Sequence, residues 1–441
     1  MRPMRRIFRL ALPAALALSV ALTGCANDPD PGDVTAEWVH EEVIHGDTTL
    51  VRTLSGSVWG DTMILVPEVV IGELDGADPY VFGNVTSVDR DAQGRIWVAD
   101  RQAGEVRVFG PDGGFLQVVG SRGDGPGEYQ EPDFLRVTSS DEVVVRDQRG
   151  GRFVVFSTEG AYLRSWRLSG NFVTMAPFTL DAQDRIYNPD LRWGTDIADE
   201  NRNVLVQIDM ATGEALDTLS TPRAEASPAF VELRIEEGEN RMISRSNVPF
   251  YPTGTASLTA DGGTLIGLGS RYALQLERPD GSVLAIERAI EPVPVLPAEA
   301  SAARSRIERG FRQQDAGWRW NGPEIPDVKP PFRWAGMGPD GSIWALRHTL
   351  GREVDNPDWD PEAPPAREQP RTIWEEDSVM DVFDADGRYL GPVRMPDGFT
   401  PQVEGVFTAD EVLLRVAEPE LGYHQVVRYR IAPRAEAERG G

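Results

Sequence analysis

GRIWVADRQAGEVRVFGPDGGFLQVVGSRGDGPGEY, the sequence of residues 94–129, alternates short apolar runs with turn residues. The runs Ile96–Val98, Val106–Phe109 and Phe115–Val119 have β-strand character, and each is bounded by Gly, Asp or Pro. Gln93-Gly94 and Asp112-Gly113 are dipeptides suited to tight hairpin turns. A meander of this kind cannot bury both of its faces alone, so the pattern predicts neighbouring copies of the same unit.

A turn followed by an apolar triplet occurs six times, at residues 94–97, 141–144, 184–187, 263–266, 341–344 and 410–413. The first five copies are followed by a further run and a second hairpin turn, whereas the sixth lacks its outer strand. Met63–Ile71 (MILVPEVVI) can supply the missing strand and close a ring, which would remove exposed sheet edges. The sequence therefore predicts an all-β fold, a six-bladed β-propeller of four-stranded antiparallel blades closed by an N-terminal strand.

The chain resembles six-bladed propellers of the NHL-repeat type. The likeness is carried by Gly94–Asp100, by Val108–Gly113 with Phe115-Leu116, and by Gly125–Tyr129, and it covers roughly residues 62–431. The fold that this resemblance implies hosts lyases, lactonases and binding modules, so it indicates architecture much more than activity.

The first 25 residues have the organisation of a bacterial lipoprotein signal. Four arginines (Arg2, Arg5, Arg6, Arg9) precede an apolar segment, Leu10–Leu22, that is too short to span a bilayer. Leu22-Thr23-Gly24-Cys25 then resembles a lipobox, and Cys25 is the only cysteine of the chain, which excludes disulfides. We expect lipidation at Cys25 and a place in the bacterial cell envelope, on the periplasmic or outer-membrane face.

The predicted organisation is a signal peptide (1–24), a lipid-anchor tether (25–47), a single propeller domain (48–432) and a disordered tail (433–441). The formal net charge of −26 argues against binding to nucleic acid or to anionic lipid headgroups, so the lipid anchor is the only expected membrane attachment. We expect the domain to be a monomer.

Long loops are predicted on one face of the disc, where the second turn of each blade and the crossings between blades lie. They are residues 190–203 and three larger insertions at about 221–254, 294–332 and 350–378. The spacing of Ala303, Ile307 and Phe311 predicts a short helical insertion over Ala298–Gln313, packed on the disc as a small lid. Connections longer than their geometry requires often carry binding sites.

Arginine recurs near the end of each blade's second strand, on the long-loop face. Converging guanidinium groups could hold a carboxylate or phosphate bidentately, unless neighbouring Asp residues neutralise them. The candidate ligand-binding residues are Arg101, Arg149, Arg192, Trp193, Arg271, Arg347, His348 and Trp334. The favoured function is a binding module without turnover, whose partner is an anionic or saccharide ligand or an envelope protein.

The alternative function is a hydrolase or lyase resembling the metal-dependent lactonases. Its Ca²⁺ would be held by Asn84, Asp133 and Glu404, near the starts of innermost strands; the favoured function needs no cofactor. A three-histidine zinc site is implausible with four histidines in the chain, and no nucleophile elbow of the form Gly-x-Ser-x-Gly is present. We therefore predict no catalytic residue. The acidic run 355–360 is interpreted as a solvated loop rather than a calcium site.

Overall fold

The N-terminal part of the described chain forms three strands that precede the repeats. The computed structural model describes residues 37–167, 176–191, 203–220, 229–237, 240–259, 261–362, 369–396, 399, 405–418 and 421–434. Strands β1 (Val39–His45) and β2 (Thr48–Ser55) form an antiparallel hairpin, and β3 (Met63–Ile71) follows. β1 thus lies within the range 25–47 that the sequence assigned to the tether.

Residues 85–119 form blade one, which follows a 3-10 turn at Asp78–Tyr80. Its antiparallel strands are, in sheet order, β4 (Val85–Arg90), β5 (Ile96–Asp100), β6 (Glu105–Phe109) and β7 (Phe115–Val119). A short parallel pair, β8 (Ser121–Arg122) and β9 (Glu128–Tyr129), lies in the crossing to blade two.

The first turn of blade one is built around the carboxylate of Asp91. Its Oδ1 atom accepts the backbone N–H of Gln93 at 3.0 Å and of Arg95 at 2.9 Å, while its Oδ2 atom accepts Nε1–H of the buried Trp97 at 2.9 Å. Gly94 occupies the left-handed position that the turn needs, with φ 77°.

The same turn recurs in blade three around Asp181. The Oδ1 atom of Asp181 accepts Gln183 N–H at 3.0 Å and Arg185 N–H at 2.9 Å, and its Oδ2 atom accepts the hydroxyl of Tyr187 at 3.0 Å. The sequences DAQGRIW (91–97) and DAQDRIY (181–187) therefore encode one local structure.

Blades two to six repeat the order of blade one, with insertions between or within them. Blade two contains β10 (Pro132–Val137), β11 (Glu142–Asp147), β12 (Arg152–Ser157) and β13 (Tyr162–Arg167). Blade three contains β14 (Thr179–Leu180), β15 (Ile186–Leu191), β16 (Asn203–Ile208) and β17 (Ala215–Ser220). A hairpin of β18 (Phe230–Glu237) and β19 (Asn240–Asn247) then precedes blade four, which contains β20 (Thr255–Leu258), β21 (Thr264–Leu268), β22 (Ala273–Glu277) and β23 (Val283–Arg288).

The helix α1 (Pro297–Arg312) lies between blades four and five, which confirms the predicted helical insertion. Blade five contains β24 (Phe332–Met337), β25 (Ile343–Arg347), β28 (Val379–Phe383) and β29 (Tyr389–Arg394), and its second turn carries a hairpin of β26 (Arg352–Asp355) and β27 (Thr372–Glu375). Blade six contains β30 (Gly405–Phe407), β31 (Glu411–Ala417) and β32 (His424–Pro433). Within the described ranges, no helix has the length and apolarity that a bilayer crossing requires.

The N-terminal strand closes the ring, as predicted. β3 pairs antiparallel with β32 along its whole length, from Met63 opposite Pro433 to Ile71 opposite Val426. It thereby becomes the fourth strand of blade six and covers the edge that β32 would otherwise expose.

The N-terminal segment also extends over two further blades, which the sequence pattern did not indicate. β2 pairs parallel with β23, the outermost strand of blade four, and the first residues of β3 pair parallel with β29 of blade five. Between them, Trp59 N–H donates to the carbonyl of Leu390 at 2.8 Å. Residues 39–71, termed here the N-terminal belt, therefore contact the outer edges of blades four, five and six.

Aromatic and β-branched side chains fill the spaces between adjacent blades. Trp97 of blade one is fully buried with Tyr129 and Phe156 in a cluster shared with blade two, and Trp344 of blade five is fully buried in a cluster shared with blade six. Each such side chain removes about 150–250 Å² from water, so the blade interfaces constitute the core.

Candidate functional site

A concavity in the described structure lies on the long-loop face. It is a cavity of about 840 Å³ between α1, the hairpin β26–β27 and the segment that follows β29. Its apolar wall includes Phe250, Trp374 and Phe399. Its charged lining consists of five arginines and five acids, namely Arg306, Arg309, Arg333, Arg352, Arg394, Glu299, Asp358, Glu375, Glu376 and Asp377.

Helix α1 separates its arginines onto two faces. Arg304, Glu308 and Arg312 follow one another at i, i+4 spacing, and Glu308 pairs with both arginines, at 3.1 Å and 2.7 Å. Arg306 and Arg309 lie on another face, with Ala302 and Ser305, and line the cavity.

Three of the five arginines in the cavity have no ion-pair partner among the described residues. Arg306, Arg309 and Arg333 are exposed, and no carboxylate among the described residues lies within 4.0 Å of their nitrogen atoms. The other two are engaged: Arg352 pairs with Glu375 at 3.3 Å and with Asp377 at 3.6 Å, and Arg394 pairs with Asp377 at 3.9 Å. Although the cavity has equal numbers of acids and arginines, three of its guanidinium groups are therefore available to a ligand as hydrogen-bond donors.

The base of the cavity is held by Lys329, the only lysine of the chain. Its side chain is completely buried, and Nζ donates to Glu299 Oε1 at 2.6 Å, to Glu376 Oε1 at 3.0 Å and to the carbonyl of Thr349 at 3.0 Å. Glu299 is the third residue of α1, so this ammonium connects the start of the helix to the second turn of blade five.

His348 contacts the same network from the cavity side. Its Nδ1 atom lies 2.9 Å from Glu376 Oε2, which also accepts the backbone N–H of Thr349 at 2.9 Å. Burial acts to raise the pKa of Glu376, but the hydrogen bond and charge of His348, the Thr349 N–H and the charge of Lys329 together lower it to about 2. Glu376 therefore stays ionised, and it orients the imidazole through Nδ1.

Most of the arginines that were predicted to bind a ligand lie in ion pairs with acidic residues. Arg101 pairs with Glu131, Arg271 pairs with Glu287, and Arg347 lies 3.8 Å from the buried Asp381. Arg149 is exposed, and the described part of the chain gives it no ion-pair partner. Arg101, Arg271 and Arg347 thus lie in separate ion pairs.

The predicted Trp334 lies away from the cavity. Trp334 packs in the core cluster of blades five and six, with its ring centroid 6.3 Å from that of Phe407. Arg192 and Trp193, like Glu404 and Cys25, lie outside the described residues. Of the six predicted ligand-binding residues that the structure describes, His348 is the one that lines the cavity.

The carboxylate proposed as a calcium ligand is already engaged. Arg146 donates to both oxygens of Asp133, with Nη2 2.6 Å from Oδ2 and Nε 3.0 Å from Oδ1. Burial raises the pKa of Asp133, an effect that Arg146 opposes. The backbone N–H of Asn84 donates to Asp100 Oδ1 at 2.9 Å. No group of three or more His, Cys, Asp or Glu side chains with metal-binding geometry occurs in the parts of the chain that the structure describes.

Comparisons with known proteins concern the fold. The model of the DUF5128 family, described as a 6-bladed β-propeller, matches residues 73–217. The match to a member of the DUF4221 family from Bacteroides vulgatus covers 84% of this chain and 98% of that protein, with 11% sequence identity and a TM-score of 0.47. The match to a candidate exported protein from Bacteroides fragilis covers 87% of this chain and 99% of that protein, with 9% sequence identity and a TM-score of 0.44.

A third solved structure, virginiamycin B lyase from Staphylococcus aureus, has 10% identity, covers 83% of this chain and 100% of its own, and has a TM-score of 0.37. No curated protein matches the chain. The six-bladed propeller is thus shown, whereas its NHL-repeat character stays a prediction.

Proposed function

We propose that this six-bladed β-propeller is an envelope-anchored lipoprotein that binds an acidic saccharide in the cavity on its long-loop face. The observation that carries the proposal is a set of three exposed guanidinium groups in one concavity, those of Arg306, Arg309 and Arg333, which form no ion pair with any described residue.

An acidic ligand is favoured because the cavity presents unpaired positive charge, among the described residues, in a chain that is acidic overall. The chain has a formal net charge of −26, so an anion approaching most of its surface is repelled. A concave wall of low dielectric focuses the field of the three arginines, and a guanidinium group can hold a carboxylate through two parallel hydrogen bonds. The cavity therefore offers an attractive site for an anion.

A saccharide is favoured by the size and the apolar wall of the cavity. A volume of about 840 Å³ lies within the range of about 300–1,000 Å³ that is typical of ligand sites, and it accommodates more than one sugar ring. Trp374 and Phe399 provide aromatic surface on which the C–H face of a sugar can pack.

Envelope anchoring is supported by the sequence at Cys25. Lipidation there would place the propeller at the end of a tether of about twelve residues, from Cys25 to the first described residue at position 37, which can reach at most about 40 Å. A ligand that is held at the cell surface would therefore be accessible to the long-loop face.

The experiment is a calorimetric titration of the mature chain carrying Cys25→Ala with tri-galacturonic acid and with its neutral counterpart, galactotriose. We expect binding of the acidic sugar, weakened as salt is raised because ion pairing is screened, and weaker or absent binding of the neutral sugar. Equal affinity for the two sugars at every salt concentration would contradict an anion site.

A further inference from the structure

Two polar side chains of blade six meet blade one at the long-loop face. Arg415 lies near the end of β31, and His424 is the first residue of β32. His424 pairs with Ala417 across the two strands, so its side chain and that of Arg415 lie on the same face of the sheet. Neither residue lines the cavity beside α1.

The proton position on His424 follows from its neighbour in blade one. The backbone N–H of Val85 donates to Nδ1 of His424 at 2.9 Å. Because a backbone amide can only donate, Nδ1 must carry a lone pair, and in a neutral imidazole the proton is then on Nε2.

Two hydrogen-bond donors consequently face each other. Nε2 of His424 lies 3.1 Å from Nη1 of Arg415, and a guanidinium nitrogen carries hydrogens but accepts none. The Nε atom of Arg415 is also buried and has no hydrogen-bond partner in the described structure. Three N–H donors thus lie together, and the described residues supply them with no acceptor.

Among the described residues, the charges of this cluster also lack a counter-ion. Burial lowers the pKa of Arg415, and burial together with the charge of Arg415 lowers the pKa of His424, while Asp100 opposes the latter effect. The Asp100 carboxylate already accepts the backbone N–H groups of Gly83, Asn84 and Ala103, at 2.8, 2.9 and 3.1 Å. Burying a cation without a partner costs free energy, which a bound anion would offset.

We propose that Arg415 and His424 form a binding site for a small oxyanion, a phosphate or a carboxylate group, between blades six and one. The anion would accept from Nε2 of His424 and from Nε and Nη1 of Arg415, which resolves the conflict between the two donors. This site is independent of the cavity, and it does not depend on the function proposed for that cavity.

The test is calorimetric titration of the mature Cys25→Ala chain with inorganic phosphate and, separately, with acetate, at constant ionic strength set by chloride. Tighter binding of one anion identifies whether the site selects a phosphate or a carboxylate group. The first variant is His424→Asn, whose side-chain oxygen can still accept the Val85 N–H but which lacks the Nε2 donor. The second is Arg415→Met, which keeps the apolar stem and removes all guanidinium donors.

We expect the parent to bind one of the two anions and Arg415→Met not to bind it. His424→Asn should bind that anion about tenfold more weakly, because it has lost one charge-assisted hydrogen bond. The double variant Arg306→Gln/Arg309→Gln should bind it as the parent does. The proposal is overturned if the parent binds neither anion, or if Arg415→Met binds as the parent does while the double variant does not. The latter result would assign the anion to the cavity and leave its proposed function intact.

Discussion

The Nζ atom of Lys329 lies 2.6 Å from Oε1 of Glu299, and this pair fastens the first turn of α1 to the base of the cavity. Glu299 also accepts the backbone N–H of Leu296 at 3.3 Å, so one carboxylate caps the helix and anchors it. The position of Arg306 and Arg309, two turns further along α1, therefore depends on a buried ion pair.

Lys329→Met should destabilise the fold, because it leaves Glu299 and Glu376 without their shared cation. Removing one partner of a buried pair costs about 3–5 kcal/mol. Urea unfolding measures the effect, with Arg352→Met as the control, since Arg352 pairs in the same region but is 59% exposed and should contribute about 1 kcal/mol or less. Equal unfolding free energies for the two variants would contradict the role given to Lys329.

Stability should fall in acid as Glu376 takes up a proton. Its folded-state pKa of about 2 lies below the ordinary value of 4.5, so its contribution is complete above about pH 4.5 and is lost as the pH falls toward 2. The shift corresponds to about 3 kcal/mol. Unfolding free energies between pH 5 and 2 should decline less steeply in Glu376→Gln than in the parent, while Glu375→Gln, at an exposed neighbouring position, should retain the parental slope. If the unfolding free energy of Glu376→Gln declined with falling pH as steeply as that of the parent, this linkage would be excluded.

Deleting residues 26–72 should abolish cooperative unfolding. The deletion removes β3 and exposes the edge of β32, and it also removes the remainder of the N-terminal belt from blades four and five. Deleting only residues 26–36 leaves every described strand in place and should not change the melting transition. A cooperative melt at the parental temperature after the longer deletion would show that the ring closes without β3.

Cys25→Ala should release the protein from membranes. Stable attachment of a lipoprotein depends on more than one acyl chain, each contributing about 0.8 kcal/mol per buried CH₂ group, and these chains require the Cys25 sulfur and amino group. Fractionation of cells that express the parent and the variant measures the change. A variant that sediments with membranes as the parent does would remove the basis for lipid anchoring.

Local periodicity was sufficient to predict the propeller and its closure. Turn residues such as Gly94 and apolar runs such as Val106–Phe109 act within a few residues of one another, so their pattern is visible in one sequence. The position of β3 could also be inferred, because the sixth repeat lacked an outer strand. The pairing of β2 with blade four could not be inferred, since no feature of residues 48–55 identifies a partner strand more than 200 residues away.

The candidate site was less predictable, because it depends on which charged side chains form ion pairs in the folded chain. Arg101 and Arg306 look alike in sequence, yet Arg101 pairs with Glu131 whereas Arg306 faces the cavity. Only α1 offered a clue, since i, i+4 spacing assigns Glu308 to Arg304 and Arg312 and leaves Arg306 and Arg309 on another face. Lys329 is a further signal that the sequence offers: it is the single lysine in a chain that otherwise uses arginine, and it is the central residue of a buried network.

The most direct test of the cavity as the binding site compares two double variants that remove equal charge from the same helix. Arg306→Gln/Arg309→Gln removes the unpaired guanidinium groups, whereas Arg304→Gln/Arg312→Gln removes the two that pair with Glu308. The affinity for tri-galacturonic acid, measured by calorimetry at one salt concentration, should fall about a hundredfold in the first variant, as expected for two charge-assisted hydrogen bonds, and change less than about threefold in the second. Equal losses in both variants would indicate a general effect of charge, and an unchanged affinity in the first would contradict binding in this cavity.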